Sequence, residues 1–313
     1  MRRVSEAAQT TNTTMTFLEQ LIDAGHYIPM GVDGLYGKSG AFENIISRID
    51  LLITQHGAGQ NAEVMRFPPA IAQQTFEESE YLKTFPHFAG SIHCFCGDEK
   101  EHMRILECVA EGKDWTQGQK ATGMVLTPAA CYPAYPVIAR RGAMGAEGVT
   151  LDLSSFCFRH EPSLEPTRLQ LFRQREYVRI GTPEQVLAFR SHWLETGEKL
   201  MRSLQLPLTV DVANDPFFGR AGRMLAANQR DQKLKFELLV PVNSEESPTA
   251  CLSFNYHMDH FGLIWALRTP GDAVAHTACV GFGMERITLA LLKHHGLDPA
   301  SWPASVREVL GGL

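Results

Sequence analysis

The chain reads as an α+β protein built on an antiparallel sheet. Strand-like segments follow one another through its second half without regular helices between them, which argues against a doubly wound fold. Two of them, VTLDLSSFCFRHE and RLQLFRQREYVRI, are joined only by the proline-bracketed loop PSLEPT, giving an antiparallel hairpin with a loop slightly longer than usual. With 313 residues and 44% hydrophobic content, the chain can bury a substantial core as one large domain or two.

In chain order, residues 1–40 are polar and glycine-rich, with one short amphipathic helix expected over 16–24. The spacing Phe42, Ile45, Ile46, Ile49, Leu52 predicts a helix over 41–55. HGAGQ breaks it, and AEVMRFPPAI reads as a strand ending at Pro68-Pro69. Residues 73–115 look mostly helical, interrupted by the loop-like SIHCFCGDEK, and GMVLTPAACYP is expected as a strand. After the hairpin, Thr182 caps a helix to Leu204 with Pro183 at its first position. LPLTVDVAND predicts a strand, FGRAGRMLAANQRDQ a helix, and KLKFELLVPV and TACLSFNYH two more strands. GFGMERITLALLKHH reads as a glycine-bounded helix closed near Gly296.

A net charge of −6 leans against a long nucleic acid as main partner, because counterion release favours a basic face. Seven irregularly spread cysteines fit reduced cytoplasmic thiols better than a disulfide framework. The N-terminus lacks the apolar stretch of a signal peptide, and no run approaches the roughly 20 apolar residues of a membrane helix. A cytoplasmic globular protein is expected.

The hairpin carries chemistry. Arg159 and Glu161 lie two apart and are expected on one strand face, as are Arg168, Phe172 and Glu176, each four apart. Guanidinium forks suit phosphate oxygens, and an aromatic face suits a purine. Taken alone, the same pattern equally describes a solvated hairpin laced with ion pairs. GFGMER then places Glu285 and Arg286 at a helix start, where a cation is unfavourable unless an anion sits nearby. GLYGKSG at 34–40 is no P-loop, since glycine is missing at Val32 and no strand is expected before it. HMDH at 257–260 and HCFC at 93–96 are read as structural, for want of further ligands beside them.

The hairpin, at about 151–180, resembles motif 2 of class II aminoacyl-tRNA synthetases, and the segment at about 279–292 resembles motif 3. Residues 41–69 are similar to the more degenerate motif 1, which implies a homodimer through that segment and a catalytic domain over 41–313 behind a 1–40 extension. The resemblance implies that Arg159 holds the α-phosphate of ATP, that Phe172 stacks on adenine, and that Arg168 and Arg286 hold the triphosphate tail.

The order LTPAACYP, hairpin, HTACVGFGMER further resembles the atypical zinc-dependent seryl-tRNA synthetases. By that resemblance the zinc ligands are Cys131, Glu176 and Cys279, with the fourth position open for the substrate's α-amino group. Spacing alone does not announce such a site, because the ligands lie 45 and 103 residues apart. Seryl-type enzymes offer a glutamate for Mg²⁺ six residues before Asn255, but this chain has Thr249 there; Glu161 or Glu237 is the alternative.

A chain with so little before motif 1 resembles the truncated amino acid:[carrier protein] ligases. These activate a small amino acid, here expected to be glycine or alanine, with ATP and pass it to the phosphopantetheine thiol of a carrier protein. The basic helix carrying Arg220, Arg223, Met224, Leu225 and Arg230 suits docking of an acidic helical carrier. The alternatives are an enzyme acting on tRNA, a ligase that modifies a protein lysine, and a non-catalytic regulatory paralogue, whose usual mark, erosion of the motif arginines, is absent.

Overall fold

The computed structural model describes residues 15–313. The helices are α1 Phe17–Asp23, α2 Gly40–Gly57, α3 Gln73–Glu78, α4 Tyr81–Thr84, α5 Glu99–Ala110, α6 Ala134–Ala139, α7 Pro183–Ser203, α8 Gly219–Asp231, α9 His260–Ile264, α10 Met284–His295 and α11 Ala304–Val309. The strands are β1 Tyr27–Val32, β2 Leu35–Lys38, β3 Glu63–Arg66, β4 Ala70–Ala72, β5 Ser91–Phe95, β6 Gln119–Leu126, β7 Val149–Phe158, β8 Leu171–Gly181, β9 Thr209–Val212, β10 Lys235–Val240, β11 Thr249–Met258 and β12 His276–Gly283.

Seven strands form the central sheet in the order β3-β7-β8-β12-β11-β10-β9. Every pairing in it is antiparallel except β3 against β7. The expected hairpin is β7–β8, paired in unbroken register from Val149↔Ile180 to Phe158↔Leu171. On one face α2, α7 and α10 bury a large core, in which Ile45, Ile49, Ile53, Trp193 and Leu289 meet Val280, Phe282, Leu252 and Phe254. A second core, including Tyr135, Leu151, Leu153, Val178 and Phe261, covers part of the opposite face. That second face holds the site.

Local signals place the helices well. Thr16 and Thr182 each form a capping box, and Ser39 accepts from the Phe42 amide at the head of α2. Gly296 closes α10 at φ 96°, a conformation that only glycine adopts readily.

Five sequence expectations change. SIHCF is a strand, because β6 supplies its hydrogen-bonding partner and α5 starts only after the Asp98 cap. The strand expected over GMVLTPAACYP runs from Gln119 to Leu126 instead; Thr127 to Pro133 turns, and α6 follows. AEVMRFPPAI divides at its prolines, which lack an N–H for a ladder, so β3 joins the central sheet and β4 a separate sheet with β6 and β5. The helix expected to begin at GFG begins at Met284, because HTACVGFG is β12, between β8 and β11. Within residues 15–40 lies an unforeseen hairpin, β1–β2; Gly34 in its turn has φ 76°, and Gly31, at an irregularity in β1, has φ 79°. Phe17, Leu21 and Tyr27 from this stretch belong to the main core. No helix among the described residues is long and apolar enough to cross a membrane.

Candidate active site

Antiparallel register brings the site together. Glu237, Ser253, Gly281 and Glu176 stand side by side across β10, β11, β12 and β8, and Lys235, Asn255 and Cys279 form the neighbouring row. Directly opposed residues share a face. Both rows floor a cavity of about 640 Å³, a size suited to a nucleotide-sized ligand. Tyr81, Phe85, Tyr132, Asp215, Phe217 and Gln229 also line it, with Phe85 stacked on Phe217.

At one end lie Arg159, just beyond β7, and Arg286, in the first turn of α10. Arg159 donates from Nε to the Pro128 carbonyl at 3.4 Å and sits 5.4 Å over the Phe172 ring. Arg286 donates to the carbonyls of Thr167 and Ala250, both at 3.1 Å. Among the described residues neither guanidinium has a carboxylate within salt-bridge distance. Burial, and after it the charge of Arg159, push the Arg286 pKa below its ordinary value. Two cations facing one cavity without counter-ions make a site for an anion, and phosphate oxygens match their forked donors. Glu285 beside them is committed elsewhere: it accepts from the Arg173 backbone at 2.8 Å and from Nε of Arg173 at 2.9 Å. Arg173 also pairs with Glu43 of α2.

Cys131, Glu176 and Cys279 come together in the same cavity, each buried. Burial, and then the neighbouring Glu176 charge, push both thiols well above their ordinary pKa. Burial likewise raises Glu176 to about 7, opposed by a hydrogen bond with Cys131 and the charge of Arg159. Glu176 Oε2 is buried with no hydrogen-bond partner. Among the described residues no three His, Cys, Asp or Glu side chains are placed closely enough to hold a metal ion as they stand. The donor set nevertheless suits a zinc ion: two thiols and a carboxylate are the ligand types it favours, and the unpartnered oxygen lacks only an electrophile.

Two expectations are revised by position. Arg159 and Glu161 lie beyond the end of β7, so they share the cavity but not a strand face. Arg168 precedes β8, so it does not share the strand face of Phe172 and Glu176; Glu161 and Glu165 (2.7 Å) hold it outside the cavity lining. Glu161 and Glu237 line the cavity, whereas Thr249 does not. Arg220, Arg223, Met224, Leu225 and Arg230 all fall on α8. Met224 is 73% exposed, Leu225 also touches the cavity, and Arg230 pairs with Asp211 at 3.3 Å.

Sequence reasoning missed Gln174 and Asp215, gave Asn255 and Lys235 no place in the cavity, and set His257 aside as structural. His257 lines the cavity with Nε2 3.7 Å from Cys279 Sγ, and burial lowers its pKa to about 4. Alternation on β11 puts Ser253 and Asn255 on one face, and His257, at the irregularity between Tyr256 and Met258, reaches the same cavity.

Solved structures define the class. The fold matches M. kandleri SerRS in complex with A. aeolicus tRNASec, with TM-score 0.79 and 23% identity over 95% of this chain and 60% of that one. It also matches the prolyl-tRNA synthetase of Cryptosporidium parvum, with TM-score 0.65 and 12% identity over 90% of this chain and 52% of that one. The protein therefore has a class II aminoacyl-tRNA synthetase-like core. No family model matches the chain. Among curated proteins it is 46% identical to amino acid–[acyl-carrier-protein] ligase 1 of Bradyrhizobium diazoefficiens, over 90% of this chain and 86% of that one. It is 45% identical to ligase 2 of the same organism, over 98% and 92%. The type-2 serine–tRNA ligase of Methanopyrus kandleri is 31% identical over 79% of this chain, which spans about half (51%) of that protein. The chain belongs to the amino acid–[acyl-carrier-protein] ligase family, and is a ligase.

Proposed function

We propose that the protein activates glycine or alanine with ATP to an aminoacyl-adenylate and transfers it to the phosphopantetheine thiol of a carrier protein. The observation that carries this reading is the pair of unpaired arginines, Arg159 and Arg286, facing the cavity that also holds Cys131, Glu176 and Cys279. Relatives 46% and 45% identical, named for amino acids and acyl-carrier protein, support the acceptor.

In the first step a carboxylate oxygen of the amino acid attacks the α-phosphorus, and the bond to pyrophosphate breaks. Arg159 and Arg286 bind the phosphate oxygens and stabilise the charge that develops there, so catalysis is chiefly positioning and electrostatics. Phe172 offers its ring to the adenine. Arg168 reaches the triphosphate tail once it leaves Glu161 and Glu165, which frees Glu161 for Mg²⁺, with Glu237 as a further candidate ligand. Cys131, Glu176 and Cys279 would hold a zinc ion, which when bound supplies a Lewis-acid position for the α-amino group. In the second step the carrier's thiolate attacks the carbonyl carbon and AMP departs. The exposed side chains Arg220, Arg223 and Met224 of α8, with Arg230 and Leu225, receive the carrier, whose acidic helix they complement. α2 and the edge strand β3, with Leu51 and Val64 exposed, form the face of a homodimer.

The test is amino-acid-dependent ATP–pyrophosphate exchange across the twenty amino acids, with and without a chelator, followed by transfer to a phosphopantetheinylated carrier. Exchange with glycine or alanine that the chelator abolishes, and a hydroxylamine-labile bond to the carrier, are expected. Exchange with no amino acid refutes the reading; aminoacylation of tRNA instead of a carrier refutes the acceptor.

A further inference from the structure

One row of the cavity floor leads away from the thiols. Cys279 stands beside Asn255, whose Nδ2 donates to Cys279 Sγ at 3.3 Å, and Asn255 stands beside Lys235. There the row is closed. Lys235 Nζ, 8% exposed as a residue, donates to Asp215 at 2.6 Å and to Glu237 at 3.0 Å. Gln229 of α8 then grips Asp215 with both ends of its amide: Oε1 accepts from the Asp215 N–H at 2.7 Å, and Nε2 donates to Oδ2 at 2.8 Å.

We propose that this Asp215–Lys235–Gln229 clasp is the end wall of the amino-acid subsite and limits the substrate's side chain to a hydrogen or a methyl group. The inference rests on the function proposed above, in which the amine lies at Cys131, Glu176 and Cys279 and the carboxylate faces Arg159 and Arg286. The remaining substituent on the α-carbon then extends along the Asn255–Lys235 row and meets the clasp. A wall of leucine or methionine would yield to an extra methylene by repacking. An ion pair on a buried lysine does not, because moving a half-buried carboxylate away strands the Lys235 charge. Gln229 is the one piece that can be cut back without doing so, since Lys235 keeps both carboxylates.

The experiment measures kcat/KM in ATP–pyrophosphate exchange for glycine, alanine, 2-aminobutyrate and valine, with wild type, Gln229→Ala and Gln229→Asn. One methylene in a snug pocket is worth about 10- to 200-fold. The wild type is expected to lose at least about tenfold from alanine to 2-aminobutyrate, and Gln229→Ala to narrow that ratio about fivefold or more. Gln229→Asn, which cuts back one methylene, narrows it less and serves if the alanine variant does not fold. A ratio that neither variant changes, or a wild type that accepts 2-aminobutyrate as well as alanine, overturns the clasp's role and leaves the activation reading standing. A wild type without exchange for any amino acid overturns that reading, and the clasp's role with it.

Discussion

Replacing Arg159 by glutamine separates a residue placed for ligand binding from one placed for stability. In the ligand-free protein Arg159 has a long hydrogen bond to Pro128 (3.4 Å) and a contact with the Phe172 ring (5.4 Å). Each is worth about 0.5–1 kcal/mol. Against them stands repulsion from Arg286, whose pKa is depressed by burial and, next, by Arg159. Loss and relief are of similar size, so Arg159→Gln should change folding stability by no more than about 1 kcal/mol, or about 2–4 °C in Tm for a chain of this length. At the reacting phosphate the balance differs: removing one preorganised donor costs about 10²- to 10³-fold in rate, some 2.7–4 kcal/mol. Thermal denaturation without ligand, together with ATP–pyrophosphate exchange, measures both. A Tm lowered by more than about 8 °C would make Arg159 a structural residue. Exchange within about tenfold of wild type would remove it from the phosphate site.

Arg286→Ala should behave differently, because the Thr167 and Ala250 carbonyls lose their donor; stability falls by about 1–3 kcal/mol along with exchange, read by the same two assays. Cys279→Ser should abolish stoichiometric zinc in elemental analysis of the purified protein, and a wild type free of zinc would refute the ligand set. Gly57→Ala drives a Cβ into the hydroxyl of Tyr177, which is buried with its ring centroid 4.6 Å from that of Trp193, so it should cost about 1–3 kcal/mol in a denaturant titration. Arg223→Glu with Met224→Glu should slow transfer to the carrier at least about tenfold while exchange is unchanged; equal transfer rates would exclude α8 as the docking face.

By itself the sequence determined the elements whose signals are short-range and pointed to the ligase family. Alternation wrote the β7–β8 hairpin, the Ser39 and Thr182 caps set the starts of α2 and α7, and the motifs singled out Arg159, Phe172, Glu176 and Arg286, which line one cavity. Where it erred, a distant partner decided: SIHCF is extended because β6 lies beside it, and HTACVGFG because β8 and β11 flank it. The tertiary structure alone decided what meets what. Strand register, fixed by pairing across the whole sheet, sets Lys235, Asn255 and Cys279 in one row and Glu176 in the next; no local window contains it. It also moved Arg168 off the strand face, and made His257 a neighbour of Cys279 rather than a bystander. A side chain's chemistry is carried in the chain, but its partners are chosen by the fold.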